Sequence, residues 1–282
     1  MRLFFSILAT LGLGVSSSLF ASGMTLHIWM AEKAANEYVH IPELRAFLQE
    51  QSAAYKNGSI FPDSGYAAGH AFGEYSHWDH FLNSYYAVID ERCPDLSSGA
   101  CRKAFAHMLG SLAHSIGDVN FDRHFVTAEA HHDHGGDIGT AQSYTDPGCD
   151  FLAILEHKRG FKIPDLNLPT AELLAAFDRG GQVSVTAEDM NKGAAIQKLA
   201  LVGEPLGSPF TYLYYKAKMP WGSKNYVHAR GGVNDTARRI AHAWELVWVR
   251  YHRGESPEGL FDSVGGWPYV DFYIADELLE NF

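Results

Sequence analysis

Residues 105–118 read Phe105-Ala106-His107-Met108-Leu109-Gly110-Ser111-Leu112-Ala113-His114-Ser115-Ile116-Gly117-Asp118. The spacing of their apolar side chains predicts an amphipathic helix over 102–118. His114 and Asp118 are four residues apart, so on a helix the imidazole and the carboxylate share one face, one turn apart, and both can reach one ion. His107 lies two turns earlier on the same stripe. The rest of the segment is apolar, so this polar stripe faces something other than bulk solvent. A single His/Asp pair serves equally well as a structural hydrogen bond or ion pair. The surrounding chain has to decide between the two.

Working outward, the sequence reads as a series of helices. Ile28, Ala31, Ala35 and Tyr38 lie on one side of a helix over 27–38. Pro42 stands where a helix starts, Leu44, Phe47, Leu48 and Tyr55 continue it, and Asn57-Gly58 ends it. Further helices are expected over 78–90, 171–177, 187–202 and 236–252. Segments rich in Gly, Pro, Ser and Asp (57–74, 92–100, 144–150, 204–209 and 219–235) read as loops. Short strand signals occur only over 182–186 and 210–215. The expectation is an all-α fold, one multi-helix domain over residues 22–282. In the helix over 236–252, Trp244 and Trp248 read better as an aromatic core stripe than as the wall of a cleft.

Of the 282 residues, 46% are hydrophobic and 20% charged, which suits a folded core rather than a disordered chain. Arg2, the apolar run 3–20 and the small residues Ala21, Ser22 and Gly23 form a secretory signal, so residues 1–21 are expected to be removed and the mature protein to be secreted or periplasmic. The formal net charge of −11 disfavours nucleic acid, whose binding relies on Lys and Arg at phosphates. Cys93 and Cys101 flank a short polar loop, and export favours a disulfide between them; Cys149 is left over. No CxxC pattern supports a thiolate metal site.

Nine of the 15 histidines fall between residues 70 and 134, interleaved with aspartates. Imidazole and carboxylate are the donors zinc takes when thiolates are absent. Three segments carry them. Phe61-Pro62-Asp63-Ser64-Gly65-Tyr66 sets Asp63 in a turn built by Pro62 and Gly65, and Ser76-His77-Trp78 follows fourteen residues after Asp63. His114 and Asp118 are followed by Asp122 and His124. Glu129-Ala130-His131-His132-Asp133-His134-Gly135-Gly136-Asp137 gathers three histidines and two aspartates in seven residues; it also reads as a solvated polar turn.

In this order, the segments resemble the zinc-dependent phospholipase C and S1/P1 nuclease superfamily, with the closest likeness to the N-terminal catalytic domain of glycosylphosphatidylinositol phospholipase D. The likeness is carried by Phe61-Pro62-Asp63, by Ser76-His77-Trp78, by the Asp63-to-His77 spacing and by His114-x-x-x-Asp118-x-x-x-x-x-His124, and it covers about residues 22–145. It implies two or three zinc ions and a ligand set of Ser22 (through its freed amine), His27, Asp63, His77, His114, Asp118, His124, His131, His134 and Asp137. His131, His132 and His134 remain alternatives for the histidine that closes the set. The chain departs from the phospholipase D pattern at Asp122, where that domain has a histidine. Asp63 is expected also to act as general base, and Asp118 to bridge two ions. The implied activity is hydrolysis of a phospholipid by metal-activated water, of phospholipase C or D type, at a membrane surface and without a stable protein partner. A nuclease or nucleotidase of the same superfamily and a non-catalytic extracytoplasmic metal-binding protein are the competing expectations.

Overall fold

A computed structural model describes residues 23–160, 167–255 and 261. Among these residues every regular element is helical and no strand occurs. Helix α1 (Met24–Lys33) runs into a π-helical turn at Ala34–Tyr38. Then come α2 (Pro42–Glu50), α3 (Ser52–Gly58), α4 (Phe61–Ala68), α5 (Phe72–Ser76), α6 (Asp79–Arg92) and α7 (Gly99–Asn120). A second π-helical turn, Phe121–Val126, leads into α8 (Thr127–Asp133). The remainder comprises α9 (Ile138–His157), α10 (Thr170–Gly180), α11 (Ala187–Lys218), α12 (Gly222–Asn225) and α13 (Val233–Arg253). The all-helical fold expected from the sequence is what the chain adopts.

The centre of the molecule is α7. Ser98 caps its start by accepting from the Cys101 amide, and from Ala104 to Asn120 nearly every side chain is buried. A helix apolar on all sides must be wrapped by others, and α3, α6, α13 and α1 pack around it. The α3–α7 crossing is backbone against backbone. A Cβ on Gly58 would stand 2.1 Å from the His107 carbonyl oxygen, and one on Gly110 would stand 2.1 Å from that of Tyr55. Only glycine permits this approach, and it brings the chain leaving α3 onto the face of α7 that carries His114. Trp244 of α13 is fully buried and donates through Nε1 to the Leu109 carbonyl at 2.7 Å. It is core, as the stripe reading expects. Cys93 and Cys101 form a disulfide.

Several segments that read as loops or strands are helical. Residues 61–76 form α4 and α5, with Pro62 in the first turn of α4, where a missing N–H costs nothing. Pro147 lies inside α9, and Pro205 and Pro209 lie inside α11, which also absorbs the strand signal at 210–215. A proline costs an isolated helix about 3 kcal/mol, so local propensity argues for a break at each site. Tertiary packing overrides it: α9 and α11 lie against each other, and α11 also packs on α4. Residues 182–186 are not a strand but the approach to α11, which Thr186 and Asp189 cap reciprocally. The expected signal segment and Ser22 lie outside the described residues.

Candidate metal centre

Five side chains from four places in the sequence converge against α7. His114 and Asp118 project from α7 one turn apart, with Nε2 to Oδ2 at 3.2 Å. Asp63 comes from the first turn of α4, and its Oδ1 lies 3.8 Å from His114 Nε2 and 3.4 Å from His77 Nε2. His77, at the end of α5, reaches Asp118 Oδ2 at 3.6 Å. His27 of α1 reaches Asp118 Oδ1 at 3.1 Å and lies flat on His114, with ring centroids 4.1 Å apart. His27 fits because residue 117 has no side chain: a Cβ there would stand 2.8 Å from His27 Nδ1.

The donor atoms suit a metal ion. Both Asp63 oxygens and the His77 Nε2 are buried without a hydrogen-bond partner, and His27 and His114 turn their Nε2 atoms to the Asp118 carboxylate, a costly arrangement for the polar groups left unsatisfied. The other nitrogens of two rings are fixed: His77 Nδ1 donates to the Gly73 carbonyl at 2.6 Å and His114 Nδ1 to the Ser59 carbonyl at 2.9 Å. That sets the tautomer with a lone pair on Nε2, as in metal-ligating histidines. Ligands about 2.0–2.1 Å from a tetrahedral zinc sit ~3.4 Å from each other, and the separations above bracket that value. Two groups have donor atoms close enough to share an ion: His27, Asp63 and His114, and His77, His114 and Asp118.

The charges fit the same reading. Burial opposes the His114 imidazolium, yet Asp118 and Asp63 outweigh it and push the pKa up to about 9. Burial and the neighbouring His114 lower that of His27. Burial likewise works against the Asp118 carboxylate, but His114 and His27 hold its pKa well below the usual range.

Two carboxylates that the sequence reading did not place in the site stand beside it. Asp122, one turn beyond Asp118, lines a cleft of about 90 Å³ together with His77, Trp78, Ser115, Asp118 and Val119. Its Oδ2 accepts from Gln142 Nε2 at 3.3 Å. Asp146 follows one turn after Gln142 on α9, is buried, and has Oδ1 without a partner. Burial, and then Asp118, raise the pKa of Asp122 to about 7; burial, and then Asp122 and Asp118, push that of Asp146 well up. Carboxylates that hold protons so strongly in each other's field are where a cation would relieve repulsion. A signal for them was present: Asp146 and Asp150 repeat the four-residue spacing of His114 and Asp118.

Among the described residues, the remaining expected ligands are not in these two donor groups. His124 is outside both donor groups; it lies against Gly231, and burial, then Arg230 and Arg239, lower its pKa. His131 is exposed, and His132 stacks on Trp221. His134 bonds through Nε2 to Glu129 at 2.8 Å and stacks on Tyr144. Asp137 is exposed and caps α9, accepting from the Thr140 amide. The dense polar run at 129–137 is thus a helix end and a cap.

A family model described as zinc dependent phospholipase C matches residues 26–175, more than half of the chain and all five converging side chains. The chain belongs to the zinc-dependent phospholipase C family. Among curated proteins it is similar to phosphatidylinositol-glycan-specific phospholipase D of Bos taurus, 26% identical over 266 residues, covering 86% of this chain and 32% of the relative. The enzyme of the same name from Mus musculus is 25% identical, covering 94% of this chain and 34% of the relative. The chain therefore spans about a third of the length of these relatives. No solved structure matches it. Zinc is the ion of the family, and the buried imidazole and carboxylate donors of this member suit it.

Proposed function

We propose that the protein hydrolyses the phosphodiester of a phospholipid at the cluster formed by His27, Asp63, His77, His114 and Asp118. The observation that carries the reading is the convergence of the buried Nε2 atoms of His77 and His114 on the Asp63 and Asp118 carboxylates, with both rings locked from behind by backbone carbonyls. Zinc bound there would neutralise charge developing on the phosphate and bring the pKa of a coordinated water towards ~7. The chain's own groups supply the rest. Asp63, with both oxygens free of hydrogen bonds, is placed to accept a proton from an attacking water. Asp118, with its oxygens 3.1–3.6 Å from His27, His77 and His114, would help hold the metal between those rings. Asp122 and Asp146 offer oxygen donors for a further ion. Trp78, whose Nε1 is tied to Glu74 at 2.8 Å, lines the mouth and limits water there.

Export belongs to this reading. Gly23 and the whole first turn of α1 are buried, and Asp150 accepts from the Thr25 and Leu26 amides at 3.2 and 2.8 Å, so the chain enters the core just before His27. Removal of residues 1–21 would leave the Ser22 amine as an additional ligand. A chain with one extra N-terminal residue should then bind less zinc and lose turnover; full zinc and full turnover would refute that part.

The reading as a whole is tested by metal content and by hydrolysis of a phospholipid panel, single-stranded DNA and nucleotides, with and without chelator. Chelator-sensitive release of a phosphorylated head group or of phosphatidic acid is the expected result. Cleavage of DNA or nucleotides alone would replace the lipid by a nucleic acid substrate. Full zinc with no turnover would make the protein a metal binder.

A further inference from the structure

Helix α11 is apolar on two opposite sides. Its inner stripe, Met190, Ala194, Gln197, Leu201 and Ser208, is buried. Gln197 donates to the Ile60 carbonyl, and Gly193 sits so close to Ser64 that a Cβ would stand 2.2 Å from its carbonyl oxygen. This face is locked onto α4, the helix that carries Asp63. The outer stripe, Leu199, Val202, Leu206, Phe210 and Leu213, advances by three or four residues at a time and so forms one ridge, ~21 Å long at 1.5 Å per residue. It is uncovered: Leu206 is 70% exposed, Leu213 75% and Phe210 85%. Single exposed apolar side chains are ordinary, but a contiguous row on one helix marks an interaction surface.

The rim of the ridge shows what it contacts. At its C-terminal end stand Tyr214 and Tyr144, with the Lys218 ammonium over both rings at 5.8 and 5.4 Å. Lys216 lies over the Tyr212 ring at 5.0 Å. Lys216 is paired with Glu156 at 2.8 Å and Lys192 donates to the Ala68 carbonyl on the α4 side, so the ammonium at this margin of the ridge is that of Lys218. Aliphatic residues and Phe on one face with Tyr and Lys at the margin is the composition of a helix lying in a lipid interface: the apolar face enters the acyl boundary, and the rings and ammonium groups sit at head-group level. None of the described helices is long and apolar enough to cross a membrane, so the helix would lie on the surface rather than span it. A second copy of this chain is a poorer occupant, because it would bring like lysines and a like net charge together.

We propose that the outer ridge of α11 docks the protein on a phospholipid bilayer. The identity of the substrate rests on the proposed function; the docking itself does not. The test uses the full chain and the triple variant Leu206→Ser/Phe210→Ser/Leu213→Ser, sedimented with vesicles of phosphatidylcholine containing a minority of phosphatidylglycerol. The wild-type chain should partition onto the vesicles and the variant at least ~tenfold less, with an unchanged circular dichroism spectrum and an unchanged rate on a water-soluble, short-chain phosphodiester. In a Phe210→Trp variant, tryptophan emission should shift to the blue when vesicles are added. Wild type that does not partition, or a triple variant that partitions equally well, overturns the proposal. So does a wild-type dimer that the triple variant converts to monomer without any vesicle binding. If neither chain hydrolyses the soluble ester, the proposed function fails, while the vesicle result still decides the docking surface.

Discussion

His27 lies flat on His114, ring centroids 4.1 Å apart and planes within 28° of parallel. Two stacked imidazoles cannot both carry a proton cheaply. Burial and then His114 lower the pKa of His27, while Asp118 and Asp63 overcome burial and lift that of His114 to about 9. The two carboxylates thus favour a proton on His114 over one on His27, and a cation bound at His114 Nε2 would have to displace it. Zinc binding at pH 7 should release at least one proton, and affinity should fall as the pH is lowered. Calorimetry in buffers of different ionisation enthalpy reads this directly; a heat independent of the buffer would contradict it.

His114 belongs to both groups of donors close enough to share an ion. His114→Ala should therefore deplete metal from both, whereas His77→Ala should deplete only one. Metal analysis of purified protein checks the difference, and turnover of the His114→Ala variant should fall by at least ~100-fold. Equal losses in the two variants would mean that the groups do not load separately.

Gly117→Ala sets two effects against each other. Within a helix the substitution should add about 0.5–1 kcal/mol of stability. Its Cβ, however, would stand 2.8 Å from His27 Nδ1 and push the ring off Asp118. The expected variant is folded and no less stable without metal, but binds less zinc. Unaltered zinc content would show that His27 is not held where the stack places it.

The fold was legible because the apolar periodicity around His114 is strong, and tertiary contacts agree with it. It was less legible where proline and glycine spoke for loops. Pro147, Pro205 and Pro209 each sit inside a helix that packing against its neighbours sustains. The misreading at 144–150 hid part of the site, because a loop has no face and Asp146 could not be aligned with Gln142. The four-residue spacing put His114 and Asp118 on one helical face, and the family resemblance, not geometry, joined His27, Asp63 and His77 to them. The density of histidines at 131–134 fixes no such face, and there solvent, Trp221 and Glu129 take the side chains.

His107, on the stripe of His114, is structural. Its ring packs edge-on against Phe61, and its Nδ1 lies 3.3 Å from the Tyr85 hydroxyl. Burial, and then Lys103, lower its pKa to about 3. Because the unfolded chain binds this proton near pH 6.5 and the folded chain does not, His107 contributes its full stability above pH 6.5. That contribution is lost as the pH falls towards 3, at about 1.4 kcal/mol per pH unit. Between pH 6.5 and 5 the loss should be about 2 kcal/mol, and His107→Leu should remove that slope. Urea titrations of both chains at the two pH values measure it; parallel curves would be the contrary result.

The disulfide between Cys93 and Cys101 closes a short loop ahead of α7, and the Tyr251 hydroxyl of α13 donates to the Cys93 carbonyl. Reduction should destabilise the protein by about 2–3 kcal/mol, a fall in Tm of roughly 5–10 °C, without removing metal. Thermal melts with and without reductant, followed by metal analysis, check both halves of the statement.

Asp150 holds the amides that open α1, and Glu204 of α11 accepts from the Thr25 hydroxyl at 2.7 Å. The first residues of the centre are thus clamped by residues about 125 and 179 positions later. A chain emerging from the ribosome carries His27 long before it carries that clamp. His27, Asp63, His77, His114 and Asp118 will all have been made, and α1 can already lie on α7, while the residues that hold its first turn are still to come. The first turn of α1 is therefore fastened only once α9 and α11 have been made.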